Sequence, residues 1–194
     1  MKNKRLRTAL LIAGIAVVVE VTALVLLNVL LPKEESKTEQ NTAKTIKFYA
    51  VYDGDVRENE VYLGLDRQFY LCDDNYGTKE AIDENQFAGD AKLALIRDYI
   101  NALIDGYPDA CRQLMTEKAL SETPIPDFAQ QMIYRIEITE TESSGNETVY
   151  CLEYLIYRNN GMYRADVGSN ASKPEYLTVV ETSDGEYRID GIHR

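Results

Sequence analysis

Asp90 to Gly106 reads DAKLALIRDYINALIDG, and its periodicity decides the fold. Leu93, Ile96, Tyr99, Ile100 and Leu103 recur at helical spacing, with Ala91 extending the stripe, so a helix is expected from about Gly89 to Asp105. Its apolar face is wide and needs a partner layer. Asp105-Gly106 closes the helix. A second helix is expected from Pro108, because proline suits a first turn, with Cys111, Leu114 and Met115 on one side. Pro124 and Pro126 end a helical region that spans roughly residues 89 to 120.

Downstream the period changes to two. Met132, Tyr134, Ile136 and Ile138 alternate with Arg135, Glu137 and Thr139, the pattern of a half-buried strand. Ser143 to Asn146 turns the chain, Thr148 to Arg158 is apolar on both faces as a central strand would be, and Asn159-Asn160-Gly161 turns it again. Strands are then expected at Met162 to Val167, Tyr176 to Thr182 and Glu186 to Ile192, completing a meander over residues 131–192. Helices followed by an antiparallel meander imply an α+β domain, with the helices packed on one face of a curved sheet.

Upstream, Thr45 to Tyr52 and Glu60 to Cys72 alternate around Asp53-Gly54-Asp55, which predicts an additional N-terminal β-hairpin over 45–72. Asp73-Asp74-Asn75 does not continue as a calcium loop, since glycine at the sixth position, Gly77, would start the loop at Cys72. Lys33 to Lys44, KEESKTEQNTAK, has no apolar anchor and reads as a flexible linker over 32–44. Before it, residues 9–31, ALLIAGIAVVVEVTALVLLNVLL, are long enough for a transmembrane helix, which takes about 20 apolar residues. Lys2, Lys4, Arg5 and Arg7 mark residues 1–8 as a cytoplasmic tail, which places residues 45–194 outside the membrane as one extracytoplasmic domain. The alternative is a signal cleaved near Val21-Thr22-Ala23, which would leave LVLLNVLL as an exposed apolar terminus. Glu20 lies near the middle of the run, where a carboxylate costs about 2.5 to 3.5 kcal/mol. It is a candidate helix contact within the membrane, to a partner or to a second copy of the chain; a tolerated single charge is the other reading.

The chain carries a net charge of −11. Setting aside the four N-terminal cations and Glu20, residues 32–194 hold 17 basic and 31 acidic groups, a net −14. That sign argues against nucleic acid as a partner. Cys72, Cys111 and Cys151 are widely spaced in apolar surroundings, with no CxxC and no nearby histidine; no metal site is expected, and three buried thiols are, with one disulfide and a leftover thiol as the alternative. No glycine-rich phosphate loop occurs, and no cofactor is expected. The one histidine, His193, is next to last, where mobility rather than a positioned base is expected. Tyr99, Asp105, Tyr107 and Tyr134 are weighed as lining of an interior cone, and core packing is the alternative. No catalytic residue is assigned.

The long helix of 90–106, the following YPDACRQLM and the closing EYLTVVETSDGEYRIDGI of 175–192 resemble the NTF2-like superfamily, a cystatin-like roll of helices against a bent antiparallel sheet. The resemblance covers residues 90–192. Tail, single span and exported domain are similar in layout to the inner-membrane scaffold component of type IV secretion machines, which implies a bacterial, single-pass membrane protein. Tyr150, Tyr154, Tyr157, Tyr163, Tyr176 and Tyr187 fall on the expected sheet and are candidates for a protein-binding surface. The function expected is therefore a non-enzymatic scaffold that docks proteins at the cell membrane. The alternatives are a tethered small-ligand-binding module and, as the superfamily resemblance implies, an isomerase or hydratase.

Overall fold

The computed structural model describes residues 45–73 and 77–194. Lys2, Lys4, Arg5, Arg7 and Glu20, with the apolar run 9–31 and the linker 32–44, lie outside the described residues. Among the described residues no helix is long and apolar enough to cross a membrane. Thr45–Arg194 forms one compact unit.

An extended segment leads into a 3₁₀ turn, Val56–Glu58, and a single-turn helix α1, Glu60–Leu63. Strands β1, Phe69–Asp73, and β2, Thr78–Ala81, follow. Four helices come next: α2 (Glu84–Gly89), α3 (Ala91–Asp105), α4 (Pro108–Gln113) and α5 (Glu117–Glu122). The chain closes with β3 (Ile133–Ser144), β4 (Glu147–Ile156), β5 (Glu175–Glu181) and β6 (Tyr187–His193). The six strands form one sheet in the order β2-β1-β3-β4-β5-β6. All neighbours are antiparallel except β1 and β3, which are parallel. Bulges in β3 and between β5 and β6 bend the sheet. The class is α+β, and α3 packs over β3 and β6.

The main helix starts two residues later than its periodicity suggests, because Asp90 is an N-cap: its side chain accepts from the backbone N–H of Lys92 and Leu93. Gly89 belongs instead to α2, which Asp83 and Gln86 start with a capping box. Leu93, Ile96, Tyr99, Ile100 and Leu103 of α3 are buried. They meet Ile136 and Ile138 of β3, Leu152 and Ile156 of β4, Leu177 and Val179 of β5, and Ile189 and Ile192 of β6 in one core.

Three expectations need correction. No hairpin spans Thr45–Cys72. Asn59 caps α1 by accepting from Tyr62 N–H at 3.0 Å, so residues 60–63 are spent on a helical turn. The strand confined to Phe69–Asp73 pairs with Thr78–Ala81 rather than with Thr45–Tyr52. Thr45–Tyr52 stays extended outside the sheet, held where Tyr49 N–H donates to Asn159 O at 3.0 Å. In β3 the register shifts between Tyr134 and Glu137, with Arg135 at φ 52°. One extra residue there reverses the phase, so Ile133 is fully buried and Tyr134 only half-buried. Met162–Val167 is not a strand. It belongs to the connection between β4 and β5, and Asn159 organises that connection: its fully buried side chain donates to Arg164 O and Val167 O, both at 2.8 Å, and accepts from Gly161 N–H at 2.8 Å.

Candidate functional site

Two places on the domain collect polar side chains in unusual settings. The first is interior. Glu175, the first residue of β5, is fully buried. One carboxylate oxygen accepts from the hydroxyls of Tyr99 (2.6 Å) and Tyr163 (3.0 Å). The other accepts from the Tyr154 hydroxyl (3.1 Å), Arg164 Nη1 (3.2 Å) and Arg194 Nε (3.0 Å). The Tyr99 and Tyr163 hydroxyls also lie within hydrogen-bond reach of each other, so their two protons are shared among three contacts. Arg164, 1% exposed, donates from Nε and Nη2 to Asp166 at 2.7 and 3.1 Å, from Nη2 to Lys173 O at 3.1 Å, and from Nη1 to Tyr154 Oη at 3.2 Å. With Glu175 this makes five contacts for the five N–H bonds a guanidinium has.

Electrostatics agree with a closed network. Burial, followed by the Glu175 charge, pushes the Tyr99, Tyr154 and Tyr163 hydroxyls well above the usual tyrosine range. Hydrogen bonding to Arg164 holds Asp166 well below the usual carboxylate range. These tyrosines are neutral donors already committed to Glu175, so the cluster offers neither a base nor a vacant donor to a reactant.

The raised tyrosines give the domain a sharp alkaline limit. A tyrosine whose folded pKa lies above its unfolded value of about 10 contributes stability that is present below that pH and lost above it. Tyr62 and Tyr150 are raised as well, Tyr62 to about 12, both chiefly by burial. Followed by tyrosinate absorbance, exposed tyrosines should ionise first, and Tyr62, Tyr99, Tyr150, Tyr154 and Tyr163 should ionise together in one cooperative step coinciding with loss of circular dichroism. Smooth titration of all 14 tyrosines with the fold retained would contradict this.

The second place is a cleft of about 230 Å³ beside the extended N-terminal segment. Tyr49, Val51 and Tyr52 form one wall, and Gln131, Met132 and Arg158 line the other parts. The wall is held by Phe48, whose ring lies against Gly161 so closely that a Cβ there would sit 2.7 Å from it. Phe48, Tyr49 and Val51 are 43–51% exposed, a local concentration of apolar surface outside the core. Gln131 is 1% exposed. Its Nε2 donates to Ala129 O at 2.5 Å and Asn160 Oδ1 at 3.2 Å, and two acceptors on that side fix which way the amide faces. Its Oε1 is the sole buried side-chain polar atom without a hydrogen-bond partner among the described residues. An orphan of this kind costs about 1 to 3 kcal/mol unless something supplies a donor.

The six sheet tyrosines expected to offer an interaction surface divide between core and surface. Tyr150, Tyr154 and Tyr163 are buried, Tyr157 and Tyr187 are half-buried, and Tyr176 is 39% exposed. The inward phase of β4, with Thr148, Tyr150, Leu152, Tyr154 and Ile156 all buried, takes two of them into the core. Of the residues weighed for a cone, only Tyr99 joins the interior cluster. Tyr107 is 63% exposed, Asp105 pairs with Arg57, and the Tyr134 hydroxyl donates to Asn170 at 3.1 Å. His193 ends β6, paired with Tyr176, and Arg194 beyond it is anchored on Glu175, so the C-terminus is tied down. Of the cysteines, Cys111 is fully buried, its thiol pushed up to about 12 chiefly by burial, while Cys72 and Cys151 are half-buried. Among the described residues no group of His, Cys, Asp and Glu is arranged to hold a metal ion.

Glu175, Arg164, Arg194, Gln131 and Arg158 were not singled out in the sequence. One signal existed: Glu175 shares the phase of Leu177 and Val179, which places a carboxylate on the buried side of β5. Gln131 precedes the strand and left none.

No family model and no curated protein matches the chain. Among solved structures, a Shewanella frigidimarina protein provisionally named a ketosteroid isomerase is similar over 54% of this chain and 94% of its own, at 13% identity and a TM-score of 0.42. The activity in that name belongs to that protein.

Proposed function

We propose that residues 45–194 are a non-catalytic small-ligand-binding module on an NTF2-like frame, held outside a membrane by the apolar run 9–31. Helices followed by a bulged meander support the frame, and the cations before the run support the orientation. The observation that carries the binding role is Gln131. A buried acceptor with its amide locked and nothing to accept from, on a residue that lines a largely apolar cleft, is what a ligand with a hydrogen-bond donor and an aromatic or aliphatic body would complete as it seats. The rival scaffold reading leaned on six sheet tyrosines of which three are buried, and the enzymatic reading would need an open group in the Glu175 network.

Benzamide, an N–H donor on an aromatic ring, is a suitable probe. Titrated into the ¹⁵N-labelled full chain, it should shift the Tyr49–Tyr52 backbone amides and the Gln131 side-chain amide. Gly161→Ala should weaken this at least about tenfold, or 1.4 kcal/mol, by unseating Phe48 and placing a side chain at φ +75°. Resonances of Tyr99 and Tyr163 should stay in place. Benzamide that leaves the cleft unchanged, or perturbs the Glu175 network instead, would overturn the reading.

A further inference from the structure

Resting on that reading, we infer that the ligand is a zwitterionic α-amino acid with an apolar side chain. Besides Gln131, the cleft carries two groups of opposite charge, Asp53 and Arg158. Among the described residues neither forms an ion pair, with the other or with any third group, so both charges are open to a ligand. Arg158 instead lies over aromatic faces, with its guanidinium carbon 5.8 Å from the Tyr49 ring centre and 5.7 Å from that of Tyr157. This braces the guanidinium against the aromatic wall while leaving its N–H fork without a carboxylate. Arg158 also sits at φ 53°, a left-handed conformation that non-glycine residues seldom adopt, at the exit of β4.

The three groups match the three features of an amino acid. An α-carboxylate takes the Arg158 fork, the recognition that guanidinium geometry favours. An α-ammonium, with three donors, serves both Asp53 and the orphan oxygen of Gln131. The side chain lies against Tyr49, Val51, Tyr52 and Met132. A volume of about 230 Å³ falls below the roughly 300 to 1,000 Å³ of sites for drug-sized ligands, which suits a molecule of this size. The domain's overall negative charge does not oppose it, because a zwitterion has no net charge.

The test uses the ¹⁵N-labelled full chain and three probes: L-phenylalanine, N-acetyl-L-phenylalanine, which lacks the ammonium, and L-phenylalaninamide, which lacks the carboxylate. Phenylalanine should shift the Gln131 side-chain amide and Arg158 Nε–H, and each analogue should bind at least about tenfold more weakly, as expected for losing a charge-assisted hydrogen bond. Arg158→Gln should remove the preference for phenylalanine over the amide, and Asp53→Asn the preference over the acetylated form. Equal binding of all three probes would overturn the inference. So would silence from all three while benzamide still shifts the cleft, an outcome that leaves the broader binding role standing. Silence from benzamide as well would remove both.

Discussion

Replacing Glu175 with alanine should lower the unfolding free energy by about 3 to 5 kcal/mol, the cost of removing one partner from a buried charge cluster. The substitution leaves Arg164, 1% exposed, without its Nη1 carboxylate and strips the acceptor from the Tyr99, Tyr154 and Tyr163 hydroxyls. It also frees Arg194, the last residue, whose side chain is 26% exposed and anchored there. Glu175→Gln should cost less, because the amide oxygen still accepts while its nitrogen faces donors. Glu84→Ala, at a carboxylate 87% exposed, should stay within about 0.5 kcal/mol of wild type. Urea unfolding measures all three. A Glu175→Ala chain as stable as wild type would show that the cluster does not hold the connection between β4 and β5 in place.

Gly106→Ala should destabilise the domain by about 2 to 3 kcal/mol and should also abolish binding in the cleft. Gly106 caps α3 in the left-handed conformation at φ 70°. A Cβ there would lie 2.6 Å from Gln130 N, backbone that cannot swing aside as a side chain can. The same stretch holds the cleft: Gln131 N–H donates to Leu103 O and Ile104 O at 3.2 and 3.3 Å, and Gln130 Oε1 accepts from Val56 N–H at 3.1 Å. Moving Gln130 therefore moves Gln131. Gly145→Ala is the control, because Gly145 shares the left-handed conformation at φ 64° but nothing lies within 4 Å of its added Cβ. It should cost about 1 kcal/mol and leave the cleft intact. Binding retained by a folded Gly106→Ala chain would separate the two effects and contradict the link.

Elements whose stability comes from one continuous periodic face were legible in the sequence. The apolar stripe from Leu93 to Leu103 reads as a helix because every member faces one core, and β6 reads as a strand for the corresponding reason. Pattern failed where a side chain or backbone event interrupts the period. Asp90 caps a helix inside a run that continues to look helical, Asn59 bends an alternating run into α1, and Arg135 inserts an extra residue that reverses the phase of β3. Thr45–Tyr52 alternates as a strand would but finds no sheet edge, and this misreading concealed the cleft wall. The site was less legible still. Arg158 and Asp53 differ from other surface charges only in lining the cleft together, and Gln131 only in what its oxygen fails to meet, which are facts of three-dimensional arrangement.

On the proposed function the cleft is the working site and the Glu175 network is framework. Intermolecular nuclear Overhauser contacts from the ring of bound benzamide test it most directly. Contacts to Val51, Tyr52 and Met132, with none to the interior tyrosines, are the expected result. Contacts to Tyr99, Tyr154 or Tyr163 would place the ligand inside the network and contradict it.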